Sequence, residues 1–387
     1  MKKLNSERAV KMRIAFIVQP DWLNNHFGVR NVFVTCFQIL KLNGHDVEFV
    51  CFSQHMNKIL FYKNIVQDSD LKSNVKETSV VIKRNYTKLV SKSKNVPEIF
   101  TQFLGTDIKD DYDAFIITNP WLLNYPLDFG DKPQALICYD CVANTFVLQG
   151  IMDCLGWGFV HNIGYQYATE NNMYFLSISE KTDKEIADFY SPKKHSALPP
   201  APPCAFLDVN YGDNQEKENA IVLAAPFDLR KGLAKMPEIL NTLKDDFETL
   251  YIYGTPRCSE KLYNEFYKRI KIKNIIHYNE ITSDDLINLY KKCKMLFFPS
   301  KEEGLGLPLI EAQLCGCRAV TTDAEPMNQL LCNGGYLLTG DNNVDVENMR
   351  KMLKDNKFDY KQLSLDAKEK FSTEKIYNEL MKALKNC

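Results

Sequence analysis

The sequence predicts an α/β protein of two domains, each built on a parallel sheet. Three observations carry this. Short apolar runs with polar flanks alternate with helix-period segments through most of the chain, the order that lays helices on both faces of a parallel sheet. The alternation starts afresh after residues 198–203, where four prolines in six residues make a stiff, extended connector. At 387 residues the chain is also longer than one domain usually organises. The expected boundaries are 1–200 for the first domain and 201–370 for the second.

The first half justifies this element by element. Residues 13–19 (RIAFIVQ) form a buried strand that Pro20 ends, and 21–28 form the following loop. A helix is expected over 32–43, with apolar residues at 32, 33, 36, 37, 39 and 40, then a strand from Asp46 to Cys51. No G-x-G-x-x-G fingerprint joins them, so nothing here points to a nicotinamide cofactor. Between 54 and 110 the pattern weakens; helices are expected around 54–64 and 97–104 and a short strand near 79–83. Residues 113–118 and 134–140 are further buried strands. His161 sits on a helix running to Glu170, 174–178 is a strand, and Ser179 caps a helix to Tyr190.

The second half repeats the order. Residues 220–225 open the new strand series, and Arg230-Lys231-Gly232 precedes a helix over about 233–243. Strands at 250–253 and 275–278 flank a helix ending at Ile270, and Ser283 is expected to cap the helix leading to residue 291.

The stretch 297–322, FFPSKEEGLGLPLIEAQLCGCRAVTT, is the most informative. An apolar strand stops at Pro299-Ser300, a loop carries Gly304 and Gly306, and Pro308 sits where a first helical turn tolerates proline. The helix closes at Cys315-Gly316, and 318–322 reads as the next strand. Such a helix start presents unpaired N–H groups and the positive end of the helix dipole, which suits a phosphate. Glu303 and Glu311 lie eight residues apart on either side of it. Carboxylates beside a phosphate repel it, and are suited instead to accepting hydrogen bonds from hydroxyls, as on a ribose and a sugar.

Glu303-x7-Glu311 within E-G-L-G-L-P-L-I-E-A, followed by Cys315-Gly316, resembles the signature of glycosyltransferase family 4. The resemblance covers 274–336 closely and about 300 residues loosely. It implies a GT-B fold, two Rossmann-like domains with parallel sheets facing a central cleft, and a C-terminal helix of about 371–387 that packs back on the first domain. It implies transfer of a hexose or deoxyhexose from a nucleotide diphosphate with retention of configuration. Lys231, Arg230 and the N–H groups of Gly304, Leu305, Gly306 and Leu307 would hold the diphosphate. Glu311 would bind the ribose and Glu303 the sugar. Gly28 would lie over the diphosphate from the first domain, and base contacts would fall near 278–281, at Tyr278. Asp140 would make a polar contact in the cleft. Two positions depart from the family. Its Gly-Arg arginine is replaced by Ala225 or Pro226, leaving adjacent Arg230 as the available cation, and its His-Asp pair is here Tyr139-Asp140.

Composition excludes other classes. The net charge of −1 leaves no electrostatic footprint for nucleic acid. Twelve cysteines are scattered, which fits free thiols in a reducing cytoplasm. Cys138-x2-Cys141 lacks a second pair, and the D-x-D pairs Asp68/Asp70 and Asp111/Asp113 fall in the first domain; no metal and no cofactor are assigned. The polar start MKKLNSERAVKM is not a signal peptide, and no run reaches membrane-span length. Lys83, Arg84, Lys88, Lys92 and Lys94 form a basic stretch, a solvated face or a peripheral contact with the inner face of a membrane. The expected function is a retaining, metal-independent glycosyltransferase acting on a glycan, lipid-linked or protein acceptor. A non-catalytic nucleotide-sugar-binding scaffold is the alternative, with a GT-B epimerase or phosphorylase as a third reading.

Overall fold

The computed structural model describes residues 11–19, 28–55, 58–64, 102–141, 144, 155–212, 216–224, 229–233, 235–255 and 258–387. The chain divides into two compact units, Met1–Pro203 with Thr373–Cys387, and Cys204–Ser372.

In the first unit the described strands are β1 (Arg13–Ile17), β2 (Asp46–His55), β3 (Lys58–Asn64), β4 (Gln102–Gly105), β5 (Ala114–Ile117), β6 (Gln134–Cys138), β7 (Tyr174–Ser177) and β8 (His195–Ala197). They form one sheet in the order β4-β3-β2-β1-β5-β6-β7-β8. Pairing is parallel from β2 through β8, as the continuous apolar runs of β1, β5 and β6 require of strands covered on both faces. Helices α1 (Gly28–Leu42), α2 (Leu155–Glu170) and α3 (Glu180–Tyr190) belong to this unit. Helix α1 starts four residues earlier than its apolar period suggests. Ser179 caps α3 by accepting from Thr182 N–H, as expected.

The helix expected at 54–64 is absent. β2 continues to His55, and β3 pairs antiparallel with it from Phe49↔Asn64 to His55↔Lys58. Ile59 and Phe61 point into the core while Lys58, Leu60 and Tyr62 are more exposed, a period of two rather than 3.6. Of the expected helix 97–104, residues 102–104 fall in the edge strand β4; 97–101 and the expected strand at 79–83 lie outside the described residues, as do Asp68, Asp70 and the basic stretch from Lys83. The proline-rich connector is anchored to this unit: Leu198 N–H donates to the Ser177 carbonyl (2.6 Å) and Thr35 Oγ1 to the Pro202 carbonyl (3.0 Å).

The second unit carries β9 (Glu218–Ala224), β10 (Thr249–Tyr253), β11 (Ile275–Tyr278), β12 (Cys293–Phe298), β13 (Arg318–Thr322) and β14 (Tyr336–Leu338). Their order is β11-β10-β9-β12-β13-β14, parallel throughout. The helices are α4 (Cys204–Leu207), α5 (Met236–Thr242), α6 (Glu260–Arg269), α7 (Ser283–Lys292), α8 (Leu307–Leu314), α9 (Met327–Leu330), α10 (Asn342–Lys354) and α11 (Tyr360–Lys370). Thr282, not Ser283, caps α7, its hydroxyl accepting from Asp285 N–H at 3.1 Å. Leu223, Phe297, Val320, Ile239 and Met349 form the core between sheet and helices. No described helix is long and apolar enough to cross a membrane.

Helix α12 (Thr373–Lys385) buries Ile376, Tyr377, Leu380, Met381 and Leu384 in the first unit. His45 anchors it. Met12 N–H donates to His45 Nδ1 (3.2 Å), so the proton of the neutral ring lies on Nε2, which donates to the Tyr377 hydroxyl (3.1 Å). Burial, and then the charge of Lys385, lower the His45 pKa below the ordinary 6.5. The unfolded chain therefore takes up this proton before the folded one does. The His45 contribution to stability is complete above pH 6.5 and falls as pH drops below it. His45→Phe is expected to flatten this part of the thermal-stability profile between pH 5 and 7, as seen by melting at half-unit pH steps. An unchanged slope would mean that His45 is not the titrating group.

Candidate active site

The sheet of the second unit winds outward in both directions from its centre, so β9 and β12 flank a switch point. Open α/β sheets bind ligands beyond the carboxyl ends of the strands at such a point. Two loops meet there. One, after β9, ends in the 3-10 turn Leu229–Lys231; the other, after β12, carries 299–306.

The loops are fastened together. Lys301 N–H donates to the Arg230 carbonyl at 2.8 Å. The Lys231 ammonium pairs with Glu303 Oε1 and lies 4.7 Å from the centroid of the Phe298 ring, a cation–π contact. The Ser300 hydroxyl donates to the same Glu303 oxygen at 2.6 Å. Gly232 is what lets them close: its φ is +78°, and a Cβ there would stand 2.4 Å from the Pro299 carbonyl oxygen. The glycine of Lys231-Gly232 is thus a steric requirement of the site as well as a turn.

Helix α8 starts one step beyond. Gly306 is its N-cap, and Pro308 occupies the first turn. Leu305, Gly306 and Leu307 are all buried. The N–H groups of Leu305 and Gly306 have no acceptor among the described residues. Cys315 ends the helix and Gly316 follows with φ +64°.

Glu311 lies within α8 and is 6% exposed. Its carboxyl accepts no hydrogen bond from any described residue, and burial pushes its pKa up to about 8. Close by, the Tyr253 and Tyr290 hydroxyls bond one another at 2.6 Å. Burial first, and then the Glu311 charge among other neighbours, drive both phenol pKa values far upward. A buried carboxyl without a partner costs free energy, and hydroxyl groups of a ligand would supply what it lacks.

The structure therefore brings Lys231, Arg230, Glu303, Gly304, Leu305, Gly306, Leu307 and Glu311 to one switch point. Arg230 contributes its carbonyl to the loop junction. Tyr278 ends β11 on the same side of the sheet, its ring parallel to that of Tyr251 at 6.5 Å. Gly28 and Asp140 belong to the other unit. Gly28 is the exposed first residue of α1, and Asp140 follows β6 with its carbonyl accepting from the Tyr165 hydroxyl at 3.4 Å. Ala225 and Pro226 lie outside the described residues. The sequence reading missed Phe298 and Ser300, which hold Lys231 and Glu303; their positions at a strand end, immediately before the glutamates, were the available signal.

Residues 210–370 match the family model described as glycosyl transferases group 1. A 73-residue stretch is 36% identical to the serotype-specific mannosyltransferase WbdA of Escherichia coli, covering 19% of this chain and 9% of that protein. TarM of S. aureus, solved with fondaparinux, α-GlcNAc-glycerol and UDP, superposes with TM-score 0.57 at 16% identity over 70% of this chain and 55% of that one. The catalytic domain of starch synthase IV from Arabidopsis thaliana, bound to ADP and acarbose, superposes with TM-score 0.62 at 10% identity over 97% of this chain and 99% of that one. This chain thus spans under a tenth of the mannosyltransferase and about half of TarM. At such identities the superpositions establish architecture: the chain has the GT-B fold of glycosyltransferases, and its second unit carries the group 1 sequence match.

Proposed function

We propose that this protein is a retaining glycosyltransferase that moves a hexosyl or deoxyhexosyl group from a nucleoside diphosphate to a hydroxyl of a glycan, lipid-linked or protein acceptor. The observation that carries the reading is Glu311, a buried carboxyl without a partner among the described residues, on the helix whose start offers the N–H groups of Leu305 and Gly306. A vicinal diol and a diphosphate held by one molecule satisfy both, and a nucleoside diphosphate is such a molecule.

Glu311 accepts from the ribose hydroxyls. The N–H groups of 304–307 and the Lys231 ammonium take the diphosphate, with Arg230 as a further cation at the loop junction. Lys231 is already paired with Glu303, so the diphosphate exchanges with that carboxylate. Released from Lys231, Glu303 accepts from hydroxyls of the transferred sugar. The acceptor oxygen then forms a bond to the anomeric carbon on the face from which the diphosphate leaves. The bond from that carbon to the phosphate oxygen breaks, and the acceptor proton passes to the leaving phosphate. Negative charge grows on the diphosphate in this step, where Lys231 and the fixed N–H groups stabilise it most. These groups supply the positive charge that a divalent ion would otherwise provide, and no metal is assigned. WbdA is named as a mannosyltransferase, and the two solved neighbours hold UDP and ADP; they leave base and sugar open for this chain.

A scaffold that binds the nucleotide sugar without turnover is the second reading, favoured by Tyr139 in place of the family's histidine. Incubating the protein with UDP-, GDP- and ADP-hexoses and a panel of glycoside acceptors separates the two. Acceptor-dependent release of one nucleoside diphosphate, with the product anomer matching the donor, is the expected result. Tight nucleotide binding with no turnover on any acceptor would establish the scaffold. Inverted product would refute retention.

A further inference from the structure

The second unit holds another polar cluster, at the end of the sheet where β9 and β12 begin. Lys217 immediately precedes β9. Its Nζ donates to the carbonyl of Tyr290 in α7 (3.1 Å) and to that of Cys293, the first residue of β12 (3.0 Å). Two tyrosine rings flank the nitrogen, with centroids at 5.3 Å for Tyr211 and 5.0 Å for Tyr360, the first residue of α11. Gly316 makes room for both. A Cβ there would stand 2.6 Å from the Tyr211 ring and 2.6 Å from the Tyr360 carbonyl oxygen.

Lys217 meets no carboxylate among the described residues. Cys293, Cys315 and Cys317 are its nearest acidic neighbours, and they could oppose the loss of its proton only as thiolates. Burial holds all three as neutral thiols, their pKa values pushed far up. Lys291, whose own Nζ donates to the Asn210 carbonyl at 2.9 Å, adds a like charge. A buried ammonium without a counter-ion gives up its proton early. Burial first, with Lys291 adding to it, lowers the Lys217 pKa to about 8. Near neutral pH the side chain is in part a free amine, and a free amine is a nucleophile. The Tyr211 and Tyr360 hydroxyls are buried, and neither has a hydrogen-bond partner among the described residues. Such donors cost free energy until an acceptor reaches them. The cluster thus joins a reactive amine, two unused donors and a nearby cation, the surroundings that a small anion formed on the amine itself requires.

We propose that Lys217 is a carbamylation site that takes up carbon dioxide. The Nζ lone pair forms a bond to the carbon of CO2, one C–O π pair moves onto oxygen, and the nitrogen releases a proton to solvent. The carbamate nitrogen keeps one N–H, enough for one of the two carbonyls it holds as an amine. The new oxygens accept from the Tyr211 and Tyr360 hydroxyls, with Lys291 as countercharge. Lys217 is only partly buried, and CO2 is small and uncharged, so entry carries no charge-desolvation penalty. The site stands independently of the transferase reading.

The test equilibrates the full chain with 13C-labelled bicarbonate between pH 7 and 9 at constant CO2 pressure. Carbamate is read by 13C NMR, then fixed by alkylation with triethyloxonium and located by peptide mass spectrometry. A carbamate on Lys217 is expected, with occupancy rising with pH as the amine loses its proton, and no such signal in Lys217→Arg. Tyr211→Phe and Tyr360→Phe, which keep the rings, should each weaken CO2 uptake about tenfold, the loss of one hydrogen bond to a charged group. No adduct on Lys217 at any pH in this range, or an adduct unaffected by either phenylalanine variant, would overturn the site.

Discussion

If the protein transfers sugar as proposed, replacing Lys231 with alanine is expected to lower transfer about 10²–10³-fold, the cost of one preorganised charge aimed at a developing oxyanion. The geometry adds a second loss. Without Lys231, Glu303 keeps its bond from Ser300 but no countercharge from this lysine, and a diphosphate arriving beside it meets a bare carboxylate. Binding should therefore weaken along with turnover. The double variant Lys231→Ala/Glu303→Gln separates the effects: it should recover part of the binding, because the repulsion is gone, and none of the turnover. Steady-state kinetics with calorimetry on the single and double variants reads both. If the double variant bound no better than Lys231→Ala, the exchange of Glu303 for phosphate at Lys231 would be wrong.

Glu311→Gln is expected to make the protein more stable and less able to bind nucleotide. In the folded chain burial holds the Glu311 pKa at about 8, against an ordinary value of 4.5. Over that interval the folded state keeps a proton that the unfolded state has released, so the contribution of this group to stability falls as pH rises from 4.5 towards 8. Glutamine has the same shape and does not titrate. The gap in melting temperature between variant and wild type should open above pH 4.5 and be widest near pH 8, where the buried group costs the fold a few kcal/mol. A gap independent of pH would show that Glu311 does not carry a proton when folded. Binding of a ribose diol, which donates to the carboxylate, favours its ionised form, so nucleotide binding near pH 7 should release protons in wild type and not in the variant. Sites that oppose stability in this way are where a chain holds its function.

Much of this was legible in residue order. The apolar runs of β1, β5, β6, β9 and β12 have the length and flanks of strands covered on both faces, and the loop-to-helix pattern around Pro308 gave α8 and its closing glycine. The failures are physical too. Residues 58–64 mix Lys, Leu and Tyr with a short alternation that is easily read as a helix turn, and only the antiparallel partner β2 decides between them. Thr282 displaced Ser283 as a cap because neighbouring hydroxyl residues are interchangeable until the backbone chooses. The pairing of Lys231 with Glu303 spans 72 residues and appears only once β9 and β12 lie side by side. Likewise nothing local marks His161 as the stacking partner of Trp121. That depends on Gly164 meeting Pro120, a contact no periodicity reports.

The central claim is that the switch point of the second unit holds a nucleoside diphosphate. Calorimetric titration of wild type and Lys231→Ala with UDP, GDP, ADP, CMP and dTDP tests it most directly. One diphosphate should bind wild type clearly better than the others, and Lys231→Ala should bind that one at least tenfold more weakly. If none of the five bound, or if the preferred one bound both proteins equally, the assignment of this site would be contradicted.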